Sequence, residues 1–137
     1  MKQILNNEFA NLYFDPVSNA LISVWKKPTT SESYRAFYSV VLENIGRYKT
    51  ACYASDIYQQ GLIDSECRRW LQNEVFPKAY KAGLRKIATV TPGDVFSKFY
   101  IDSIQSGIMF NRLDMECNYF HDLITAQAWL LEKEIPA

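Results

Sequence analysis

The first stretch of this sequence that could do chemistry is "YASDIYQQGLID", residues 53–64. An apolar run that suits a buried strand ends there on a carboxylate, Asp56, and a polar loop leads on to a second carboxylate, Asp64. In open α/β sheets, ligands bind beyond the carboxyl ends of the strands. Asp56 is therefore a candidate binding residue, although such an aspartate more often accepts hydrogen bonds from the amides of its own loop.

Three other aspartates and the single histidine are candidate acid/base groups. Asp64, Asp94 and Asp122 each precede a predicted helix, where an N-cap carboxylate stabilises by about 1 kcal/mol. His121 is adjacent to Asp122, and sequence neighbours do not normally face each other, so the two do not form a dyad. No serine or cysteine has a nucleophile-elbow context. The sequence does not predict a catalytic centre.

Metal and cofactor signatures are also missing from the sequence. Cys52, Cys67 and Cys117 are odd in number and lack C-x-x-C spacing, which argues against a disulfide framework and a zinc site. The five glycines are isolated, so neither a P-loop nor a dinucleotide fingerprint can be built. We expect no metal and no cofactor.

The charges are balanced overall and uneven locally. Lys plus Arg number 15 and Asp plus Glu number 15, which gives no field to attract nucleic acid or an anionic membrane. Residues 64–86 carry six cations and three acids, a local net charge of +3. Arg68 and Arg69 in this segment could bind a phosphate or an acidic partner through forked hydrogen bonds. The favoured interpretation is simpler, since cations near a helix C-terminus oppose its dipole.

The composition indicates a soluble protein of a reducing cytoplasm. No run approaches the roughly 20 apolar residues that cross a bilayer, and "MKQILNNEF" does not resemble a signal peptide. Aromatic residues reach 15% of the chain, more than one small core usually needs. They are expected either at the core edge with hydrated hydroxyls, or at an interface or pocket.

Turn chemistry and periodicity predict one domain, 1–137, with the element order ββαβαβαβα. The first predicted elements are a hairpin at 8–26, a helix at 30–48 with Thr29 and Glu32 as a capping box, and a strand at 51–57. A helix capped by Asp64 follows, with a break near Phe76 and a second helix from Pro77 that Gly83 closes. The last are a strand at 85–92, a helix from Asp94 to Gly107, a strand at 113–120 and a helix capped by Asp122. This order predicts the α/β class, with a mostly parallel five-stranded sheet, an antiparallel edge strand and helices packed on the sheet.

The order and spacing of several segments resemble a known family. These segments are the hairpin ending in Trp25, "TTSESYR", the strand ending in Asp56, "W-L-x(5)-P" from Trp70, "GLRKIATVTP", and "F-x(5)-A-x-x-W-L" from Phe120. Together they resemble the STAS superfamily (sulfate transporter and anti-sigma-factor antagonist), in particular its stage II sporulation antagonist-like branch, which is grouped with the lipid-carrying CRAL-TRIO fold. The resemblance covers nearly the whole chain.

The resemblance implies a small non-enzymatic module that binds protein partners, and in some members nucleotides or lipids, through the region after the strand at 51–57. In the switch members this loop reads Asp-x-Ser-Gly and its serine is phosphorylated. Asp56 matches the aspartate, while Tyr58 stands in place of the serine and Gln59 in place of the glycine. Ser65 is out of register, so the phosphoswitch lacks its acceptor.

Two hypotheses follow from the sequence. The leading one is a cytoplasmic STAS-like binding module that acts through a protein partner or through itself as a homodimer. The runner-up is a carrier of a small amphipathic or lipid-like ligand, suggested by the surplus aromatics and the CRAL-TRIO kinship. The candidate contact residues are Asp56, Tyr58, Gln59, Gln60, Asp64, Arg68 and Arg69.

Overall fold

The computed structural model describes residues 1–132. The strands in this range are β1 (Lys2–Asn6), β2 (Ala10–Asp15), β3 (Ala20–Trp25), β4 (Cys52–Asp56), β5 (Lys86–Val90) and β6 (Glu116–Phe120). The helices are α1 (Ser31–Tyr48), α2 (Ser65–Trp70), α3 (Phe76–Lys81), α4 (Val95–Phe110) and α5 (Leu123–Leu130), and a π-helical turn (Leu71–Val75) joins α2 to α3.

The six strands form one sheet in chain order, β1 to β6. The pairs β1–β2 and β2–β3 are antiparallel, and the strands from β3 to β6 run parallel. Helices connect the parallel strands, which confirms the predicted α/β class and its alternating order. The carboxyl ends of the four parallel strands lie at one edge of the sheet, and Asp56 lies at that edge.

The sheet has one strand more than the five predicted. Residues Lys2–Asn6 pair with β2, with a register shift between Gln3 and Leu5, and form an additional antiparallel edge strand. The segment "KQILN" has only two adjacent apolar residues and no alternation, which is too weak a pattern to indicate a strand. An edge strand needs partners along one side only, and Ile4 and Leu5 pack partly buried against the core.

Alternate residues along the strands point into two different hydrophobic layers. Leu21, Tyr53 and Ile87 lie in the larger layer, which α1 to α4 cover. Their neighbours on the opposite face include Ala54 and Ala88, which lie with α5 in a smaller layer. These small side chains let α5 pack close to the sheet.

The helix starts follow the predicted capping residues with one exception. The side chains of Asp64, Asp94 and Asp122 accept hydrogen bonds from the amides of Cys67, Ser97 and Thr125 at 2.8, 2.7 and 2.7 Å. The capping box assigned to Thr29 and Glu32 is wrong by one residue. Thr30 is the N-cap of α1, and its hydroxyl accepts from the Ser33 amide. Thr29 and Thr30 are adjacent hydroxyl residues, and the spacing rule alone does not choose between them.

The junction predicted at Phe76 exists, but the chain stays helical through it. In the π-helical turn, the Phe76 amide donates to the Leu71 carbonyl five residues back, and this wider turn precedes Pro77 where a break was expected. The prediction that Gly107 ends its helix is also wrong, because α4 continues to Phe110. A Cβ on Gly107 would lie 2.5 Å from Gln72 Cγ, so this glycine allows α4 to approach the π-helical turn closely.

Candidate functional site

The loop after β4 is braced by hydrogen bonds of its own. Asp56 Oδ1 accepts from the Tyr58 amide at 3.1 Å, and the Gln60 amide donates to the Ile57 carbonyl at 3.1 Å. The Ile57 amide continues the β5 pairing by donating to the Val90 carbonyl. In this structure Asp56 therefore stabilises its loop, which is the more common role considered for it from the sequence.

The same loop is held against the segment that follows β3. The Thr29 amide donates to the Gln60 carbonyl at 3.0 Å. Gly61 has a φ of +78°, and a Cβ there would lie 2.9 Å from the Pro28 side chain. A positive φ and so close an approach both favour glycine. The backbone conformation on either side of Gln60 is thereby fixed.

Tyr58 links the loop after β4 to the loop after β6. Its hydroxyl donates a 2.7 Å hydrogen bond to the carbonyl of His121, which follows β6. The bond spans the carboxyl ends of β4, β5 and β6. Tyr58 is exposed, yet its hydroxyl holds these two loops together.

A pocket of about 280 Å³ opens between residues 57–63 and the first turns of α4, and we call it the Gln60 pocket. The polar and charged residues at this pocket are Tyr58, Gln60, Arg68, Asp94, Ser97 and Tyr100. A shallower apolar groove continues from it over Leu62, Ile63, Val95, Phe96 and Phe99. Phe96 and Phe99 are 66% and 59% exposed, which is unusual for phenylalanine in a folded protein.

Gln60 is the most deeply buried polar residue of the pocket. Gln60 is only 2% exposed, and its Nε2 atom makes no hydrogen bond of good geometry among the described residues, although its side chain lies near the Tyr100 hydroxyl and partly offsets the rise that burial causes in the pKa of that tyrosine. A buried donor that lacks a partner costs about 1–3 kcal/mol. Gln60 Nε2 is one of four buried side-chain nitrogen or oxygen atoms without a hydrogen bond among the described residues, and of these four it alone belongs to a residue that lines the pocket.

Arg68 contributes a positive charge at the side of the same pocket. Its Nη1 donates to the Ile63 carbonyl, and its guanidinium carbon lies 4.9 Å from the centre of the Phe99 ring. Among residues 1–132, no carboxylate oxygen lies within 4.0 Å of this guanidinium. Most of its five donors therefore have no partner within the described protein.

Asp94 is the carboxylate at the pocket, and it faces its own helix. Its Oδ1 accepts from the Ser97 amide at 2.7 Å. That hydrogen bond lowers the pKa of Asp94 below its usual value. Its charge is thus directed at the positive end of the α4 dipole.

A network of buried hydroxyls lies behind the pocket, and we call it the tyrosine network. Tyr100 contacts the pocket, and its hydroxyl is 2.8 Å from that of Tyr34. Deeper in the core, Tyr53 donates to Tyr38 at 3.4 Å and lies 2.7 Å from Ser23 Oγ. Burial raises the pKa of Tyr34, Tyr38 and Tyr53 well above the usual value, and that of Tyr100 to about 12. These hydroxyls therefore remain protonated at neutral pH.

The structure places the predicted contact residues in different settings. Tyr58, Gln60 and Arg68 lie together at the Gln60 pocket. Asp64 lies at the neighbouring groove, where it caps α2 and accepts from Ser31 Oγ, and the Ser31 hydrogen bond lowers its pKa. The remaining three do not line the pocket: Asp56 braces the loop, while Gln59 and Arg69 are exposed.

The contribution of α4 is the part of the site that sequence reasoning missed. The sequence predicts a helix that contains Phe96, Phe99 and Tyr100, and of these three only Tyr100 is buried. The signal that could have found them is the density of apolar residues in "VFSKFY". Together with Ile101 and Ile104 on the same helix, Val95, Phe96 and Phe99 span more of the helix circumference than one buried face can cover.

Comparisons with known proteins bear on the fold. No protein-family model matches the chain, and no curated protein matches it. A solved structure does match over 93% of this chain and 98% of its own, with 16% sequence identity and a TM-score of 0.63. It is the crystal structure of an uncharacterized protein of the DUF3478 family from Shewanella loihica PV-4, described as having a SpoIIAA-like fold. The present chain has a SpoIIAA-like fold.

This match confirms the fold that the sequence resemblance implied. At 16% identity, the match concerns the fold alone. Within residues 1–132, no group of three or more His, Cys, Asp or Glu side chains is arranged to hold a metal ion. No helix in the same range is both long and apolar enough to span a membrane.

Proposed function

We propose that this protein is a non-enzymatic binding module that takes a small amphipathic ligand in the Gln60 pocket. The observation that carries the proposal is the unpartnered, buried Nε2 of Gln60 next to an apolar groove with exposed phenylalanines. The sequence alone favours protein binding over the carriage of a small ligand. A pocket with a polar end and an apolar extension supports the binding of a small amphipathic ligand more strongly than the binding of a protein.

The Gln60 pocket and its groove have two unfavourable features that one ligand would relieve. Gln60 Nε2 lacks a hydrogen bond, and Phe96 and Phe99 expose much of their rings to water. A ligand with a polar head and an apolar tail would supply a hydrogen-bond acceptor to Gln60 Nε2. Its tail would cover the exposed rings of Phe96 and Phe99. Burial of apolar surface contributes roughly 25 cal/mol per Å² before the costs of association.

The non-enzymatic part of the proposal rests on what the acidic side chains do. Asp56 accepts an amide of its own loop, and Asp64, Asp94 and Asp122 each cap a helix. Each carboxylate thus has a structural partner.

The proposal is tested with a neutral amphiphile, so that charge plays no part. We expect 1-decanol to bind saturably in calorimetry and to displace the dye Nile red from the protein. Phe99→Ser should weaken both signals, while Tyr119→Ser, which changes an exposed aromatic residue outside the pocket and groove, should not. Absence of saturable binding by 1-decanol, Nile red and a range of ionic amphiphiles would rule the function out.

A second candidate function is self-association, and a separate observation favours it. Met109 and Phe110, at the opposite end of α4 from the pocket, are 79% and 83% exposed. Adjacent exposed apolar residues of this size mark contact surfaces. Light scattering over a range of concentrations should then show a dimer that Phe110→Glu disrupts. A constant monomer mass would remove this candidate.

A further inference from the structure

We infer that the ligand of the Gln60 pocket carries a carboxylate head group, held between Gln60 Nε2 and the Arg68 guanidinium, with its tail in the apolar groove. The inference rests on the proposed function and specifies the ligand class of the same site.

The pocket offers donors that need an acceptor. Gln60 Nε2 makes no hydrogen bond of good geometry among the described residues, and because the atom is closed to solvent, the amide must turn toward the pocket for a head group to reach it. Tyr100 adds a hydroxyl at the same pocket, already 2.8 Å from that of Tyr34. An ionised carboxylate is acceptor-only and has two oxygens, so it can serve more than one donor at once.

The charge at the pocket favours an anion of low charge. Arg68 presents a guanidinium without a carboxylate partner among residues 1–132. Asp94 is also at the pocket, but its carboxylate accepts from the Ser97 amide at the start of α4. Asp64, at the groove, likewise accepts hydrogen bonds from the Ser31 hydroxyl and the Cys67 amide. Arg68 is therefore the cation at the pocket that can bind an anionic head group, while the ionised Asp94 and Asp64 nearby favour an anion of low charge.

One guanidinium suits a carboxylate better than a phosphate monoester. The phosphate carries about −1.5 to −2 charges at neutral pH and is usually held by clustered cations or several backbone amides. The pocket has a single cation lining it, and Asp94 caps the first amides of α4. A carboxylate can form two parallel hydrogen bonds with one guanidinium.

The dimensions fit a head group in the pocket and a tail outside it. The pocket volume of about 280 Å³ lies just below the usual range of ligand sites, roughly 300–1,000 Å³. The larger part of a straight apolar chain must therefore lie in the groove over Leu62, Phe96 and Phe99. Arg68 borders both spaces, at the point where head and tail would meet.

The test compares four ligands with equal chains: decanoate, 1-decanol, decylamine and decyl phosphate, each below its micelle concentration. We expect decanoate to bind about tenfold or more tighter than 1-decanol, since hydrogen bonds to a charged group are worth more than neutral ones. Arg68→Met and Gln60→Leu should each reduce that preference severalfold while 1-decanol still binds. Arg69→Met, which changes an exposed neighbouring arginine outside the pocket, should leave it unchanged.

The possible outcomes separate the inference from the proposed function. Equal binding of decanoate and 1-decanol, or tighter binding of decylamine or decyl phosphate, overturns the carboxylate and leaves the amphipathic ligand standing. Binding of none of the four overturns both. A preference for decanoate that survives Arg68→Met also overturns the inference, provided that circular dichroism shows the variant folded.

Discussion

The hydroxyl of Tyr58 donates to the carbonyl of His121 at 2.7 Å, which ties the loop after β4 to the loop after β6. Tyr58→Phe removes this hydrogen bond and little else, so we expect it to lower the free energy of unfolding by about 0.5–1.5 kcal/mol. Urea unfolding measures the difference. Tyr119→Phe is the matched control, because Tyr119 is exposed and its hydroxyl has no hydrogen bond within the described residues. Equal stability of the two variants would show that the bridge contributes nothing.

Gln60 should limit the stability of the ligand-free protein. Its Nε2 is buried without a partner, and replacement by an apolar side chain of similar size removes that cost. We expect Gln60→Leu to raise the free energy of unfolding by about 1 kcal/mol, whereas the exposed neighbour Gln59→Leu should change it by less than about 0.5 kcal/mol. Thermal and urea unfolding give both values. A destabilised Gln60→Leu would mean that this amide is satisfied in solution.

The close packing of α4 on the π-helical turn depends on Gly107. A Cβ there would meet Gln72 Cγ at 2.5 Å, so Gly107→Ala should cost about 1–3 kcal/mol of stability. Gly46, in α1, has open space around it. Gly46→Ala should instead stabilise by up to about 1 kcal/mol, because alanine is the better helix former. If Gly107→Ala is as stable as Gly46→Ala, the predicted contact is wrong.

The tyrosine network should make stability fall at high pH. Burial raises the pKa of Tyr100 from 10.0 to about 12, and that of Tyr34, Tyr38 and Tyr53 in the same direction. The unfolded chain therefore releases these protons at a lower pH than the native one. The stability they contribute is fully present below about pH 10 and is lost as pH rises toward 12 and above.

Urea unfolding at a series of alkaline pH values, followed by tyrosinate absorbance, checks this dependence. Tyr100→Phe should show a shallower loss of stability with pH than the wild type, while Tyr119→Phe should match the wild type. A wild-type stability that is flat through this range would show that the buried hydroxyls titrate normally.

Most of the fold could be predicted because its signals are local. Asp64, Asp94 and Asp122 each precede an apolar helical pattern, and each proves to be a cap. The edge strand β1 could not be predicted, since its stability comes from pairing with β2 and not from its own composition. Gly107 was misassigned for a similar reason, because its role depends on Gln72, which is distant in sequence.

The candidate site was only half predictable. Gln60 and Arg68 belong to the loop and helix that follow β4, and the topology of α/β sheets directs attention there. Phe96 and Phe99 come from a helix after a different strand, and their exposure is visible only once α4 is placed beside that loop. The sequence likewise could not show that Gln60 Nε2 lacks a partner, since this depends on every side chain around it.

The most direct test of ligand binding at the Gln60 pocket is a nuclear magnetic resonance titration of the labelled protein with decanoate. The side-chain amide signals of Gln60 and the guanidinium signal of Arg68 should shift saturably, because both groups form new hydrogen bonds when the head group enters. The side-chain amide of the exposed Gln59 should stay in place. Saturable shifts located elsewhere, with the Gln60 amide unchanged, or no saturable shift at all, would contradict the assignment of this pocket as the binding site.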